Sequence, residues 1–169
     1  MFLNKIDIRW SDLDPNQHLA NSAYMNFMSA TRMVYMAKKG ITYADLQKHK
    51  IGPVVLREEV HYFKEVFPGD PVYVSQEVIA LSDEGTFYKI RHNFYDKMGA
   101  NFARGEMMGT WIDMKSRKIT PPPAEIYGPL MSTNHSDDFI KMTKEETRLV
   151  NVQPQDIQLS NHLDWFDQG

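Results

Sequence analysis

Residues 9–24 read Arg-Trp-Ser-Asp-Leu-Asp-Pro-Asn-Gln-His-Leu-Ala-Asn-Ser-Ala-Tyr, and the hydrophobic period changes inside this stretch. Before it, Phe2, Ile6, Ile8 and Trp10 fall on alternate positions, as in a strand with one buried face. Within it, Asp12, Asp14, Pro15, Asn16 and Asn21 are turn formers. After it, Tyr24, Phe27, Met28, Thr31, Val34 and Tyr35 recur at helical steps, which predicts an amphipathic helix starting near Ser22. Asn21 or Ser22 is the expected N-cap, Lys38 and Lys39 suit the negative C-terminal end, and Gly40 suits the stop.

Outward from the helix the period becomes two. A short helix over Tyr43 to His49 leads into a predicted strand from Pro53 to Phe67, with Val54, Leu56, Val60 and Tyr62 on one face and Arg57, Glu59 and His61 on the other. Pro68-Gly69-Asp70 turns the chain, Val72, Val74, Val78 and Ala80 continue the alternation, and Ser82 to Gly85 turns it again. Two more strands, Phe87 to Tyr95 and Ala100 to Met114, flank an Asp96-Lys97-Met98-Gly99 hairpin. Successive hairpins make an antiparallel sheet, and the long helix must cover one face of it, so the class is α+β. Pro121 to Pro123 end the regular pattern, dividing a domain over residues 1–125 from an extension over 126–169 of unspecified packing. Within the extension, a short helix near Asp137 to Glu146 and a strand near Arg148 to Val152 are expected.

The chain has 169 residues, 42% of them hydrophobic, which suits one domain with a real core. Nineteen Lys plus Arg against 22 Asp plus Glu give a net charge of −3, without the basic excess of a nucleic-acid binder. The absence of cysteine excludes disulfides, Cys zinc sites, iron–sulfur clusters and a thiol nucleophile. No run approaches the roughly 18 apolar residues of a membrane span, so a cytoplasmic protein is expected. No phosphate-binding Gly-rich loop and no His-Glu-x-x-His metal motif is present.

The polar segment carries the candidate chemistry. It sets two carboxylates and His18 immediately before a helix whose first-turn amides lack internal acceptors and sit at the positive end of the dipole. Such amides bind anions or polarise a carbonyl oxygen. A carboxylate beside them serves as general base or nucleophile, and together these are parts of an acyl-transfer site. The plainer alternative is that Asp12, Asp14 and Asn21 turn the chain and cap the helix.

The run Asp12-x-Asp14-Pro15-x-x-His18-x-x-Asn21-x-x-Tyr24, between a strand and an amphipathic helix, resembles the hotdog-fold thioesterases of the 4-hydroxybenzoyl-CoA thioesterase-like family. That family includes bacterial long-chain acyl-CoA thioesterases and the Tol–Pal-associated acyl-CoA thioesterases. Phe67 to Val72 resembles the family's strand-turn-strand junction, and Trp111-Ile112-Asp113 through Pro121 its last strand and exit, so the likeness covers residues 3 to about 125. It implies a five-stranded antiparallel sheet wrapped around one long central helix, and a homodimer or homotetramer. It also implies hydrolysis of an acyl-CoA, with acyl-ACP as the alternative, without metal or organic cofactor. Carried over by position, Asp14 matches the catalytic acid that attacks the thioester carbonyl or activates water. Asn21 matches the residue whose backbone amide polarises the thioester oxygen, and His18 matches the histidine that supports the loop or the acid. Tyr24, Met28 and Phe63 are the expected substrate contacts. The chain departs from the family's Gly-His-Val-Asn-Asn pattern at Gln17, where Gly is usual, and at Ala20, where the first Asn is usual. Gln17 must then adopt whatever backbone shape Gly supplied.

Other features have plainer readings beside functional ones. Met25, Met33 and Met36 lie on or beside the helix's apolar face as core, or line an acyl tunnel. Lys64, Lys89, Arg91 and Arg104 belong to solvated strand faces or meet the phosphates of CoA. His61 and His92 read as surface or interface residues. Asp156 to Leu163 repeats the Asp-to-His-Leu spacing of Asp12 to Leu19, as if opening a second hotdog repeat like that of acyl-ACP thioesterases. Gln158 stands where the acid would, so coincidence explains it and no second site is expected. Two other functions remain open: a hotdog dehydratase or hydratase using His18 with Asp14, and a non-catalytic acyl-thioester-binding protein.

Overall fold

Strand and helix periods sort the chain into one sheet and one long helix. The computed structural model describes residues 1–131, 134–143, 145–148 and 153–158. Strand β1 (Phe2–Ile6) leads through a 3-10 turn at Trp10–Asp12 into helix α1 (Asn21–Lys38) and the short α2 (Tyr43–His49). Strands β2 (Ile51–Tyr62), β3 (Val72–Leu81), β4 (Phe87–Tyr95) and β5 (Asn101–Asp113) follow, then helix α3 (Ala124–Met131) and strand β6 (His135–Lys141). The sheet order is β1-β3-β4-β5-β2, with every neighbouring pair antiparallel, as expected of the five-stranded core. A sixth strand is added: β6 runs parallel to β3 over Val78 to Leu81, beyond the Val72–Gln76 stretch that β1 takes. None of the helices among the described residues is long and apolar enough to cross a membrane.

The stripe on α1 does the packing. Tyr24, Phe27, Met28, Thr31 and Tyr35 are buried, whereas Val34, counted with them in the periodicity, faces outward because the stripe is narrower than the pattern suggests. Tyr24 lies against Phe94 of β4, with ring centroids 5.1 Å apart. Met28 sits over Gly105 of β5, where a β-carbon would fall 2.4 Å from its sulfur. Each large apolar side chain so buried is worth roughly 1.5–3 kcal/mol. At the start of α1 the N-cap position belongs to Ala20, neither Asn21 nor Ser22, and no side chain caps it. Asn21 Oδ1 instead accepts the Ser22 N–H at 2.9 Å. Gly40, with φ +77°, ends the helix as expected, its N–H donating to the Ala37 carbonyl.

Several expectations shift. The first strand stops at Ile6, and Trp10 enters the 3-10 turn and is exposed, because Asp12 Oδ2 accepts the Arg9 N–H at 2.8 Å and curls the backbone. The second strand ends at Tyr62 rather than Phe67, since the N–H groups of both Phe63 and Lys64 converge on the Phe102 carbonyl and break the ladder. The helix expected from Asp137 is a strand. Its cause is long-range: Arg91 grips Asp138 with two hydrogen bonds of 3.0 Å, and β3 offers an open edge beside it. Phe139 and the buried Ser136 of β6, with Ile126, Leu130 and Met131 of α3, join the body of the domain. Apart from Arg148, which is in a bend, the strand expected at 148–152 and most of the 156–163 repeat lie outside the described residues.

His61 is exposed beside Glu59, but His92 is fully buried and not a surface residue. Alternation along β4 places it in line with Tyr88, Ile90 and Phe94, facing α1. Its Nδ1 lies 2.7 Å from the Ser75 carbonyl and its Nε2 3.4 Å from Arg32, which is paired with Glu58 at 3.1 Å. A guanidinium only donates, so Nε2 accepts and Nδ1–H donates: the ring is neutral. Burial, then the Arg32 charge, pushes its pKa down to about 3. Between that value and the ordinary 6.5 the unfolded chain binds the extra proton, so acid destabilises the fold through that window. Thermal melts from pH 7 to pH 4 should therefore fall more steeply for wild type than for His92→Gln, by up to about 1.4 kcal/mol per pH unit. Parallel curves would show that His92 does not supply this dependence.

Candidate active site

The loop between β1 and α1 is organised by its own carboxylate. A backbone bridge joins Leu13 to Leu19, and the Asp14 N–H donates to the His18 carbonyl at 2.9 Å. Inside that closure, Asp14 Oδ1 accepts the N–H groups of Asn16 and His18 at 2.8 and 2.9 Å. No described group donates to Oδ2. The turn requires a left-handed residue at position 17, and Gln17 takes it with φ +63°. Position 17 thus carries a side chain on a backbone shape that glycine adopts most readily. Two further bonds moor the loop: Leu19 N–H to the Val66 carbonyl and Ala20 N–H to the Asp12 carbonyl, both at 2.8 Å.

The first turn of α1 leaves the Asn21 amide open. Ser22 N–H is taken by Asn21 Oδ1, and Ala23 N–H by the Ala20 carbonyl at 2.9 Å. Among the described residues, no acceptor engages the Asn21 N–H, which projects from the positive end of the helix dipole. Asp14 and Asn21 line one cleft of about 400 Å³, together with His18, Tyr24 and Phe63. Met28, the other expected substrate contact, is not on it, being fully buried over Gly105.

The remaining walls come from residues 62–66, which the sequence pattern assigned to a strand. Nothing in their alternation marks Tyr62 or Glu65 as site residues, because the break at Phe63 depends on a carbonyl of β5. Glu65 lies 3.4 Å from His18 Nε2, both partly exposed, and Phe67 meets the His18 ring edge-on at 4.8 Å. Tyr24 stacks edge-on with Tyr62 at 4.9 Å. Burial, then the neighbouring Tyr62, pushes the Tyr24 phenol up to about 12, so it stays protonated. Of the four cations considered for phosphate contact, Lys64 alone lines this cleft. Arg91 is paired with Glu106 and Asp138, and Arg104 donates to Asn93 Oδ1 at 2.8 Å.

The sequence profile of the thioesterase-like superfamily matches residues 8–130, and the chain belongs to that superfamily. Its fold is the hotdog fold. Among solved structures it is similar to the 1,4-dihydroxy-2-naphthoyl-CoA thioesterase Slr0204 of Synechocystis, with a TM-score of 0.70 and 11% identity over 80% of this chain and 98% of that one. SAV2348 of Staphylococcus aureus, in complex with CoA, gives 0.73 and 14% over 90% and 95%. The gentisyl-coenzyme A thioesterase BH1999 gives 0.67 and 16% over 76% and 99%. At these identities the likeness is one of fold. A comparison with curated proteins finds no match.

The left-handed position yields a direct test of the loop. Gln17→Gly should leave thermal stability unchanged or raised, whereas the β-branched Gln17→Val should lower it by about 1–2 kcal/mol in denaturant melts. Equal losses for both would mean that the backbone at 17 is not what the loop depends on.

Proposed function

We propose that the chain hydrolyses an acyl-CoA thioester at the Asp14 cleft, as a homodimer or a higher assembly of dimers. The observation that carries this reading is the pairing of an undonated carboxylate oxygen with an unaccepted helix amide on one cleft. Asp14 Oδ1 is held by the loop, which leaves Oδ2 to act on the thioester carbonyl or on a water beside it. In the first route Oδ2 bonds to the carbonyl carbon, the C–S bond breaks, and water later cleaves the mixed anhydride. In the second, Oδ2 takes a proton from water as the hydroxyl adds to the carbonyl, and the tetrahedral intermediate then breaks its C–S bond, expelling CoA thiolate that recovers the proton. Either way negative charge develops on the thioester oxygen, and the Asn21 N–H is the donor for it; one such donor is commonly worth about 10²–10³-fold in rate.

His18 serves as a support, its backbone N–H holding Asp14 and its ring set between Glu65 and Phe67. Tyr24 and Phe63 form apolar contacts for the acyl group, and Lys64 is the cation for a CoA phosphate. The CoA bound to the similar Staphylococcus aureus protein supports a CoA-type ligand. The assembly is supported by β2, a long strand with no partner on its outer side among the described residues, which a second copy would pair.

Asn at position 14 retains the oxygen that accepts from Asn16 and His18, so Asp14→Asn should fold with an unchanged melting temperature. Release of free thiol from a panel of short, long and aromatic acyl-CoAs should fall at least about 100-fold in this variant. Asp14→Ala should lose activity and loop stability together. Wild-type rates in Asp14→Asn would sink the assignment of the acid, and a folded wild type that releases no thiol from any member would sink the acyl-CoA reading.

A further inference from the structure

Two hollows lie along the inner side of α1. Tyr24 is the most buried residue lining the Asp14 cleft, and its ring packs on Phe94 and Phe102, with centroids 5.1 and 6.4 Å away. A second, internal cavity of about 210 Å³ lies between the C-terminal half of α1, the inner face of the sheet and α3. The two share no lining residue.

Met28 stands between them on both elements along which a passage would run. On α1, Tyr24 lines the cleft and Arg32 the cavity, while Met28 lies midway, about one turn from each, and lines neither. On β5, Ala103 pairs with Tyr62 of the cleft, Met107 lines the cavity, and Gly105 falls between them on the same face. Met28 is fully buried on Gly105, so close that a β-carbon at 105 would collide with its sulfur. Its side chain therefore bridges helix and sheet where a channel would have to pass.

On the thioester reading above, the acyl group meets this block. A methylene strengthens binding only when it leaves water, by about fourfold when fully buried. Tyr24, Tyr62 and Phe63 cover the first carbons in the cleft. A longer chain finds Met28 across its way and turns back to solvent, where further methylenes add nothing. We infer that Met28 is a specificity-determining residue, a stop that restricts the protein to short acyl groups.

Release of free thiol from acetyl-, butanoyl-, hexanoyl-, octanoyl- and decanoyl-CoA by the full chain tests this. In wild type, kcat/KM should climb with length and level off before octanoyl-CoA. Met28→Ala opens a gap over a residue that has no side chain of its own. It should keep climbing, and raise the octanoyl-to-butanoyl ratio of kcat/KM by at least about tenfold. Because losing a buried side chain lowers stability, melting curves accompany the assay, and Met28→Val, which deletes less, should raise the same ratio about threefold. Met28→Leu, close to methionine in volume, should keep the wild-type profile. A wild-type profile that climbs steadily through decanoyl-CoA would overturn the inference and leave thioester hydrolysis standing. So would Met28→Ala and Met28→Val profiles parallel to wild type, or an equal change in Met28→Leu, which would trace the effect to disturbed packing. A folded wild type that releases no thiol from any member would instead remove the thioester reading, and this inference with it.

Discussion

Burial of the α1 stripe against the inner faces of β4 and β5 governs both ends of the molecule at once. Met28 over Gly105 and Tyr24 against Phe94 set the height and rotation of the helix. Once these are fixed, the N-terminal turn of α1 stands at the Asp14 cleft, with Asn21 among its lining residues. The same rigid rod carries Arg32, Met33 and Met36 to the wall of the internal cavity. A helix is a stiff spacer, so a change in how Met28 seats would be felt at both places.

The Asp14 loop reconciles two demands on one carboxylate. As a turn former it must accept backbone N–H groups, and the proposed role as the acid needs an oxygen left for substrate. Using Oδ1 alone for Asn16 and His18 meets both. This is why the plainer reading of the segment, a turn before a helix, and the chemical reading do not compete. The capping role, however, passes elsewhere: Ala20 stands at the N-cap and offers no side chain, which leaves helix amides to be satisfied by Asn21 or by a ligand.

Cations divide between architecture and surface. Arg91 holds β6 and Glu106 in place, and Arg32 is fixed between Glu58 and His92. Both are guanidinium groups, suited to several directed contacts in a partly buried place. Lys64, on a loop at the cleft, has no ion pair of this kind among the described residues.

By itself the sequence determined the class of fold, the long helix with its Gly40 stop, the strands of the antiparallel core and the order of residues on the loop. Each of these is set by neighbours a few positions away, through a period of two, a helical period or a turn preference. Asp14, His18 and Asn21 became candidates through the resemblance of one short run to a known family, and the structure brings all three to one cleft. The tertiary structure decided what depends on distant partners. His92 is buried because its strand face meets α1, Phe63 leaves the sheet because Phe102 draws its N–H, and residues 135–141 become a strand because Arg91 and the free edge of β3 hold them. It also decided that Met28 packs in the core while Tyr62 and Glu65 line the cleft. Local periodicity says which side of an element is apolar; only packing against the rest of the chain says what that side meets.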